Sequence, residues 1–138
     1  MEAVGVNDLG ALIATARASA FVEREVAAMQ LASAGMAGTL ALAAIAEDGV
    51  ASVDARVTAL RHLGVAPEAS AAVRACLRDA APVIRLVALE WAERVTARDL
   101  LPDVEALVED AGRVFDLDSE HGVGDVARRV AAALTAPA

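Results

Sequence analysis

The chain has 138 residues, a formal net charge of −8, and a composition that is 57% hydrophobic but only 2% aromatic. This length is enough for one domain with its own core, and we predict a single domain spanning residues 1–138. The acidic balance argues against nucleic acid as a partner, because phosphates would repel the protein. Abundant alanine, with few β-branched residues in alternation, favours helices over strands.

The N-terminal third of the chain bears on cellular location. The first residues include Glu2 and Asp8 and lack the basic region of a secretory signal. Residues 26–46 carry no charge and are long enough to span a bilayer, but they contain polar residues and glycines between acidic flanks. This stretch therefore favours two buried helices joined at Gly35 over a membrane span. Because a lone Cys76 cannot form an internal disulfide, we predict a cytoplasmic protein with no membrane partner.

Apolar periodicity and cap residues predict eight helices and no sheet. Caps or first-turn residues mark the predicted starts, which lie at Asn7, Ser19, Met36, Ser52, Pro67, Pro82, Asp99 and Asp125. The second predicted helix groups Val22, Val26, Met29 and Ser33 on one face. The seventh is predicted to continue to Ala111, and residues 112–124 are predicted to form an inserted acidic loop.

The sixth predicted helix is the stretch to which other parts of the chain can be aligned. It follows Asp79, places Pro82 in its first turn, where a missing N–H costs little, and carries Arg85 ahead of an Ala-Leu pair. Similar runs recur at spacings of 32, 29 and 43 residues, and the aligned arginines are Arg24, Arg56, Arg85 and Arg128. Self-similarity near 30 residues is typical of a stacked helical array.

The run containing Asp79, Pro82, Arg85 and Ala88-Leu89 resembles the helix-turn-helix core of HEAT repeats. The spacing near 30 residues resembles the short bacterial variety, which is also found in phycobiliprotein lyases. The resemblance is best over residues 50–111 and fair over 124–135. It implies an all-α fold, a right-handed α-solenoid of about four helix pairs, in which Asp79 and Arg85 form a structural ladder between neighbouring repeats.

By the same resemblance, the second helix of each repeat lines a concave binding surface, here the first, third, fifth and seventh predicted helices. The third helix has no charged side chain between residues 36 and 46, whereas the seventh is rich in acids. We therefore predict a surface suited to a basic amphipathic helix or to a second copy of the chain. Its candidate partner-binding residues are Met36, Leu40, Ala43, Arg74, Arg78, Asp103 and Glu109.

These features together predict a non-enzymatic scaffold or adaptor that binds a protein partner and uses no cofactor. One alternative is an accessory or lyase-like HEAT-repeat enzyme that acts on a protein-bound chromophore. Another is the work of HEAT-like alkylpurine DNA glycosylases, which would need a basic face and an aromatic-lined base pocket. The sequence contains no nucleophile elbow, phosphate-binding loop or dinucleotide fingerprint.

The acidic stretch 115–122 is the densest polar cluster in the sequence. Carboxylates at 116, 118 and 120 resemble the first half of a calcium loop, but Gly122 comes one position late and Ala127 replaces the last carboxylate. We predict a solvated loop there and no metal site. A single cysteine and two separated histidines do not predict a zinc site either. Helical spacing places Cys76 and Trp91 in the core.

Overall fold

The computed structural model describes residues 6–18, 20–116 and 119–137. Within these ranges the protein is predominantly helical, which confirms the predicted helical class, and it adds one two-stranded antiparallel sheet. The helices are α1 (Val6–Ala18), α2 (Phe21–Ala32), α3 (Gly35–Glu47), α4 (Val53–His62), α5 (Pro67–Cys76), α6 (Pro82–Arg94), α7 (Leu101–Glu105) and α8 (Val123–Thr135), with a 3₁₀ turn at Arg98–Leu100. The strands are β1 (Arg113–Asp116) and β2 (Ser119–Gly122).

Two compact units make up the chain, residues 1–72 and 73–138, and the division between them falls inside α5. In the N-terminal unit each of the first three helices packs on the next one, and α1 also contacts α3 and α4 while α2 contacts α4. Alanines let these helices approach closely, and larger apolar side chains fill the space between them. The largest fully buried residues of this unit are Leu31, Leu42, Ile45 and Leu60.

Local cap chemistry explains where several of these helices begin. The predicted cap of α4 is confirmed, since the Ser52 hydroxyl accepts a hydrogen bond of 3.1 Å from the backbone N–H of Ala55. Pro67 and Pro82 begin α5 and α6 as predicted. The helix α1 begins at Val6, so Asn7 lies in its first turn and is not the cap. The predicted cap Ser19 lies outside the described residues.

The C-terminal unit is built around α6, which packs on α8. The short helix α7 also packs on α8. Trp91 of α6 is completely buried, and Cys76 at the end of α5 is 1% exposed, so both predicted core positions are confirmed. A ring of this size removes more apolar surface from water than any aliphatic side chain does, which makes Trp91 the centre of this unit. Other large buried residues of the unit are Leu77, Ile84, Leu89, Leu100, Val104 and Val123.

The prediction of no sheet, with a loop over residues 112–124, is wrong. Strand β1 pairs antiparallel with β2, and Arg113 lies opposite Gly122 at one end of the hairpin while Asp116 lies opposite Ser119 at the other. The N–H of Val123 donates to the Gly112 carbonyl at 2.9 Å and closes the base. Backbone pairing therefore holds the two strands together without the alternation of apolar and polar side chains that larger sheets show.

The predicted seventh helix, Asp99–Ala111, is also too long. A 3₁₀ turn covers Arg98–Leu100, α7 ends at Glu105, and hydrogen-bonded turns follow. Pro102 occupies the first turn of α7, where its missing N–H costs little, and the shortening lies on the C-terminal side, where turns replace the helix after Glu105. The last helix likewise begins at Val123 rather than at Asp125.

Candidate functional site

The candidate partner-binding residues fall in both units. In the N-terminal unit, Met36 and Leu40 lie one turn apart on α3 and are 55% and 44% exposed. The third candidate on this helix, Ala43, is buried and contributes no surface. The outward side of α3 therefore presents two large apolar side chains without a charge between them.

The helix α2 presents a second apolar row that was not among the sequence candidates. Val22, Val26 and Met29 are 66%, 47% and 55% exposed, although the sequence already groups them on one face. The opposite face of α2 packs into the unit through Ala27, Ala28 and Leu31. A surface helix normally presents polar residues to solvent, so apolar residues on both faces are the signal that could have identified this row.

Arginines and acids cluster on α5 and α7 in the C-terminal unit. Asp103 accepts a hydrogen bond from Arg74 Nε at 3.1 Å and another from Arg78 Nη2 at 3.3 Å. Arg74 also lies 3.7 Å from the carboxylate of Asp99. The fourth candidate of this unit, Glu109, is mostly exposed and lies 3.9 Å from Arg128. Three candidates, Arg74, Arg78 and Asp103, are thus brought together, and Glu109 points to solvent beside another cation.

Arg85 makes a second, more buried ion pair. Its Nη2 donates to Asp110 Oδ1 at 3.0 Å, and its Nε lies 2.9 Å from Oδ2, an ionic contact in which the Nε–H is not directed at the oxygen. Its Nη1 donates to the main-chain carbonyls of Asp79 and Ala80 at 2.8 and 3.1 Å. The Asp79 carboxylate accepts the N–H of Ala81. Arg85 therefore connects the end of α5 to the turn before the hairpin.

The electrostatics of Asp110 follow from these contacts. Burial opposes ionisation of this carboxyl group, but hydrogen bonds from Arg85 and from the backbone N–H of Gly112, at 2.7 Å, outweigh that effect. The net result is that the pKa of Asp110 lies below its ordinary value. Asp110 is therefore ionised at neutral pH, and its ion pair with Arg85 acts as a structural clamp.

Replacing Arg85 with alanine is expected to lower the free energy of unfolding by about 1–3 kcal/mol, because the half-buried carboxylate of Asp110 loses its counter-ion. Urea denaturation of the purified chain measures this loss. The matched control is Arg78→Ala, whose side chain is 76% exposed and whose loss should cost at most about 1 kcal/mol. Equal effects of the two substitutions would contradict the clamp assignment.

Acid should selectively weaken the same clamp. A lowered folded-state pKa means that Asp110 stabilises the fold above its unfolded value of 3.8, and that this contribution is lost as pH falls through the folded value. Asp110→Asn should therefore be less stable than the parent chain at pH 7, and the difference should shrink below about pH 4. Urea melts at pH 7, 5 and 3 test this. Exposed Glu109→Gln is the control, and its melts should follow the parent at each pH.

A cleft of about 480 Å³ lies between these two ion pairs. Apolar side chains and paired charges share its wall, which consists of Leu77, Arg78, Asp79, Arg85, Pro102, Asp103, Ala106, Leu107 and Asp110. The charged groups that line it already have partners within the chain, although the side chain of Arg78 is still largely exposed. The cleft thus has the mixed character of an interface rim rather than a set of converging reactive groups.

The acidic stretch before α8 contains the carboxylates that resemble part of a calcium loop. Within the described residues, no group of three or more histidine, cysteine or carboxylate side chains is placed to hold a metal ion. Residues 117–118 of the calcium-like stretch lie outside that part of the chain, and the flanking residues form the hairpin.

No helix in the described ranges combines the length and the apolar character needed to cross a bilayer.

Comparisons of the chain with models of protein families, with curated proteins and with solved structures found no match.

Proposed function

We propose that this chain is a non-enzymatic helical interaction module that binds a partner protein through its N-terminal unit. The observation that carries the proposal is the exposure of large apolar side chains on two consecutive helices, α2 and α3. The opposite faces of both helices already fill the core of the unit. Apolar groups arranged in this way gain roughly 1 kcal/mol each when a partner buries them, which makes them suited to protein contact.

The packing order within each unit supports a HEAT-like α-solenoid as the architecture behind this function. In such arrays, helices alternate between two layers, so that each contacts the next and the next but one. In the N-terminal unit α1 contacts α2 and α3, α2 contacts α3 and α4, and α1 also reaches α4; in the C-terminal unit the next-but-one contact is that of α6 with α8. A salt bridge of 2.6 Å between Arg17 and Asp48 also links the end of α1 to the end of α3.

Two of the aligned arginines give further support because they play the same part. Arg56 is buried and donates through Nε to the carbonyl of Ala46, at 2.9 Å, near the end of α3. Arg85 donates to the carbonyls of Asp79 and Ala80, which follow α5. Each guanidinium thus satisfies carbonyls at the end of the helix that precedes its own, where acceptors lack partners within the helix. A repeated role at equivalent positions is what a repeat origin predicts.

The test uses the full chain as bait in extract of its native host. The parent chain is expected to capture a specific protein partner, and a double change, Met36→Asp with Leu40→Asp, is expected to reduce capture if α3 contributes to the interface. Val50→Asp is the matched control, because Val50 is 95% exposed in the turn after α3. Circular dichroism establishes that each variant is folded. If the parent chain captures no protein and remains monomeric in sedimentation, the proposed function fails.

A further inference from the structure

The exposed row on α2 has the spacing of a helix-pairing seam. Val22, Val26, Met29 and Ser33 follow one another at intervals of four, three and four residues. This interval pattern is that of the core positions of a coiled coil, in which side chains of one helix insert between those of a second helix. Val22 to Met29 covers about 11 Å of helix, since each residue rises about 1.5 Å, and Ser33 caps the end of α2. The shape that fits this row is another α-helix.

The side chains beside the seam indicate which charge a helix docked on it should carry. Glu23 and Gln30 flank the seam on one side and Glu25 flanks it on the other. Among the described residues Glu23 makes no ion pair, so its exposed carboxylate is the main charge beside the seam. The side chain of Glu25 is only 23% exposed, its Oε2 is buried, and its Oε1 lies 3.6 Å from His62. The only cation of α2, Arg24, is turned to another side, where its Nε donates to Thr58 and its guanidinium lies over the Phe21 ring.

We infer that the α2 row is a docking seam for a helix of a partner protein that carries apolar residues at the same intervals and Arg or Lys beside them. Charge complementarity favours this partner over a second copy, because a copy would bring acids and no cation to the flanks of the seam. The inference rests on the proposed function and specifies where the partner helix lies and which residues it needs.

The probe is a synthetic helical peptide of three heptads, with leucine at the seam positions and lysine at the flanking positions. A second peptide has glutamate in place of every lysine, and a third keeps the lysine content but scrambles the order. Fluorescence anisotropy measures binding of each labelled peptide to the full chain. We expect the basic amphipathic peptide to bind about tenfold or more tightly than either comparison peptide.

Two sets of variants separate the seam from its flanks. Val26→Gln with Met29→Gln keeps helix propensity and net charge but removes apolar surface, and should weaken binding of the basic peptide about tenfold or more. Glu23→Lys with Gln30→Lys should reverse the preference in favour of the acidic peptide. The control is Glu47→Lys, an exposed reversal of one acidic charge at the end of α3, which should leave the preference unchanged.

The possible failures are distinguishable. Equal binding of basic and acidic peptides, or unchanged binding by the glutamine variant, would overturn the inference. Binding that is lost in Met36→Asp with Leu40→Asp but kept in the α2 variants would move the partner to α3 and leave the proposed function standing. Self-association of the parent chain that disappears in the glutamine variant would make a second copy the occupant. Failure of every peptide to bind, together with failure to capture any protein, would overturn both proposals.

Discussion

Replacing Trp91 with alanine is expected to lower the free energy of unfolding by about 3–5 kcal/mol, because the change removes a fully buried ring and leaves a cavity that its neighbours cannot fill. Trp91 lies on α6, the helix that packs on α8 in the C-terminal unit. Urea denaturation followed by far-UV circular dichroism measures the loss. Fluorescence is unsuitable because the chain has a single tryptophan.

The control for Trp91 is Phe115→Ala in the same unit. Phe115 is an aromatic residue of β1 that is 75% exposed, so its removal should change stability by no more than about 0.5 kcal/mol. If Trp91→Ala proves too unstable to purify, Trp91→Leu supplies a smaller loss of the same kind. Equal stability of Trp91→Leu and the parent chain would show that α6 is not the centre of the unit.

Replacing Gly38 with alanine should be costly in the N-terminal unit. A Cβ at this position of α3 would lie 1.7 Å from the carbonyl oxygen of Leu31, a main-chain atom of α2. Because that contact involves backbone rather than a flexible side chain, one helix must move away from the other. We expect a loss of about 1–3 kcal/mol or more in the free energy of unfolding, measured by urea denaturation.

Replacing Gly10 with alanine is expected to have the opposite effect on stability. It lies inside α1, and a Cβ there would have no neighbouring atom within 4 Å. Gly10→Ala should therefore stabilise the chain by about 0.5–1 kcal/mol, because alanine restricts the unfolded backbone and favours the helix. Stabilisation by both substitutions would mean that α2 and α3 are less closely packed than the contact at Gly38 indicates.

The close approach at Gly38 also bears on the docking seam. Gly38 sets how tightly α3 packs against α2, the helix whose outward side carries Val22, Val26 and Met29. Leu31 lies on the opposite, buried side of α2, next to Gly38. Small residues between the two helices thus hold the inner face of α2 against the unit. This leaves the larger apolar residues of α2 exposed to solvent.

Local chemistry made much of the helical organisation predictable. Ser52 can cap a helix, and Pro67 and Pro82 fit a first turn, because these preferences depend on a residue and its immediate neighbours. Periodic apolar residues likewise placed Cys76 and Trp91 in the core.

Contacts between distant residues could not be predicted in this way. Arg85 hydrogen-bonds to the main-chain carbonyl of Asp79, and it also forms an ion pair with Asp110, which approaches only when the turn after α7 folds back. The hairpin before α8 depends on backbone pairing that closes against Gly112. A sequence pattern predicts which residues belong to the same helix or strand, but it does not predict which other helix or strand packs against them.

The amino-acid sequence by itself determined that this protein is mainly helical, where most of its helices begin, and which residues share a face. Only the tertiary structure decided which apolar face of α2 enters the core. Ala27, Ala28 and Leu31 lie inward because small side chains and the glycine at position 38 allow close helix contact. The row of Val22, Val26 and Met29 is also apolar, but it lies on the other face of α2 and remains largely at the surface.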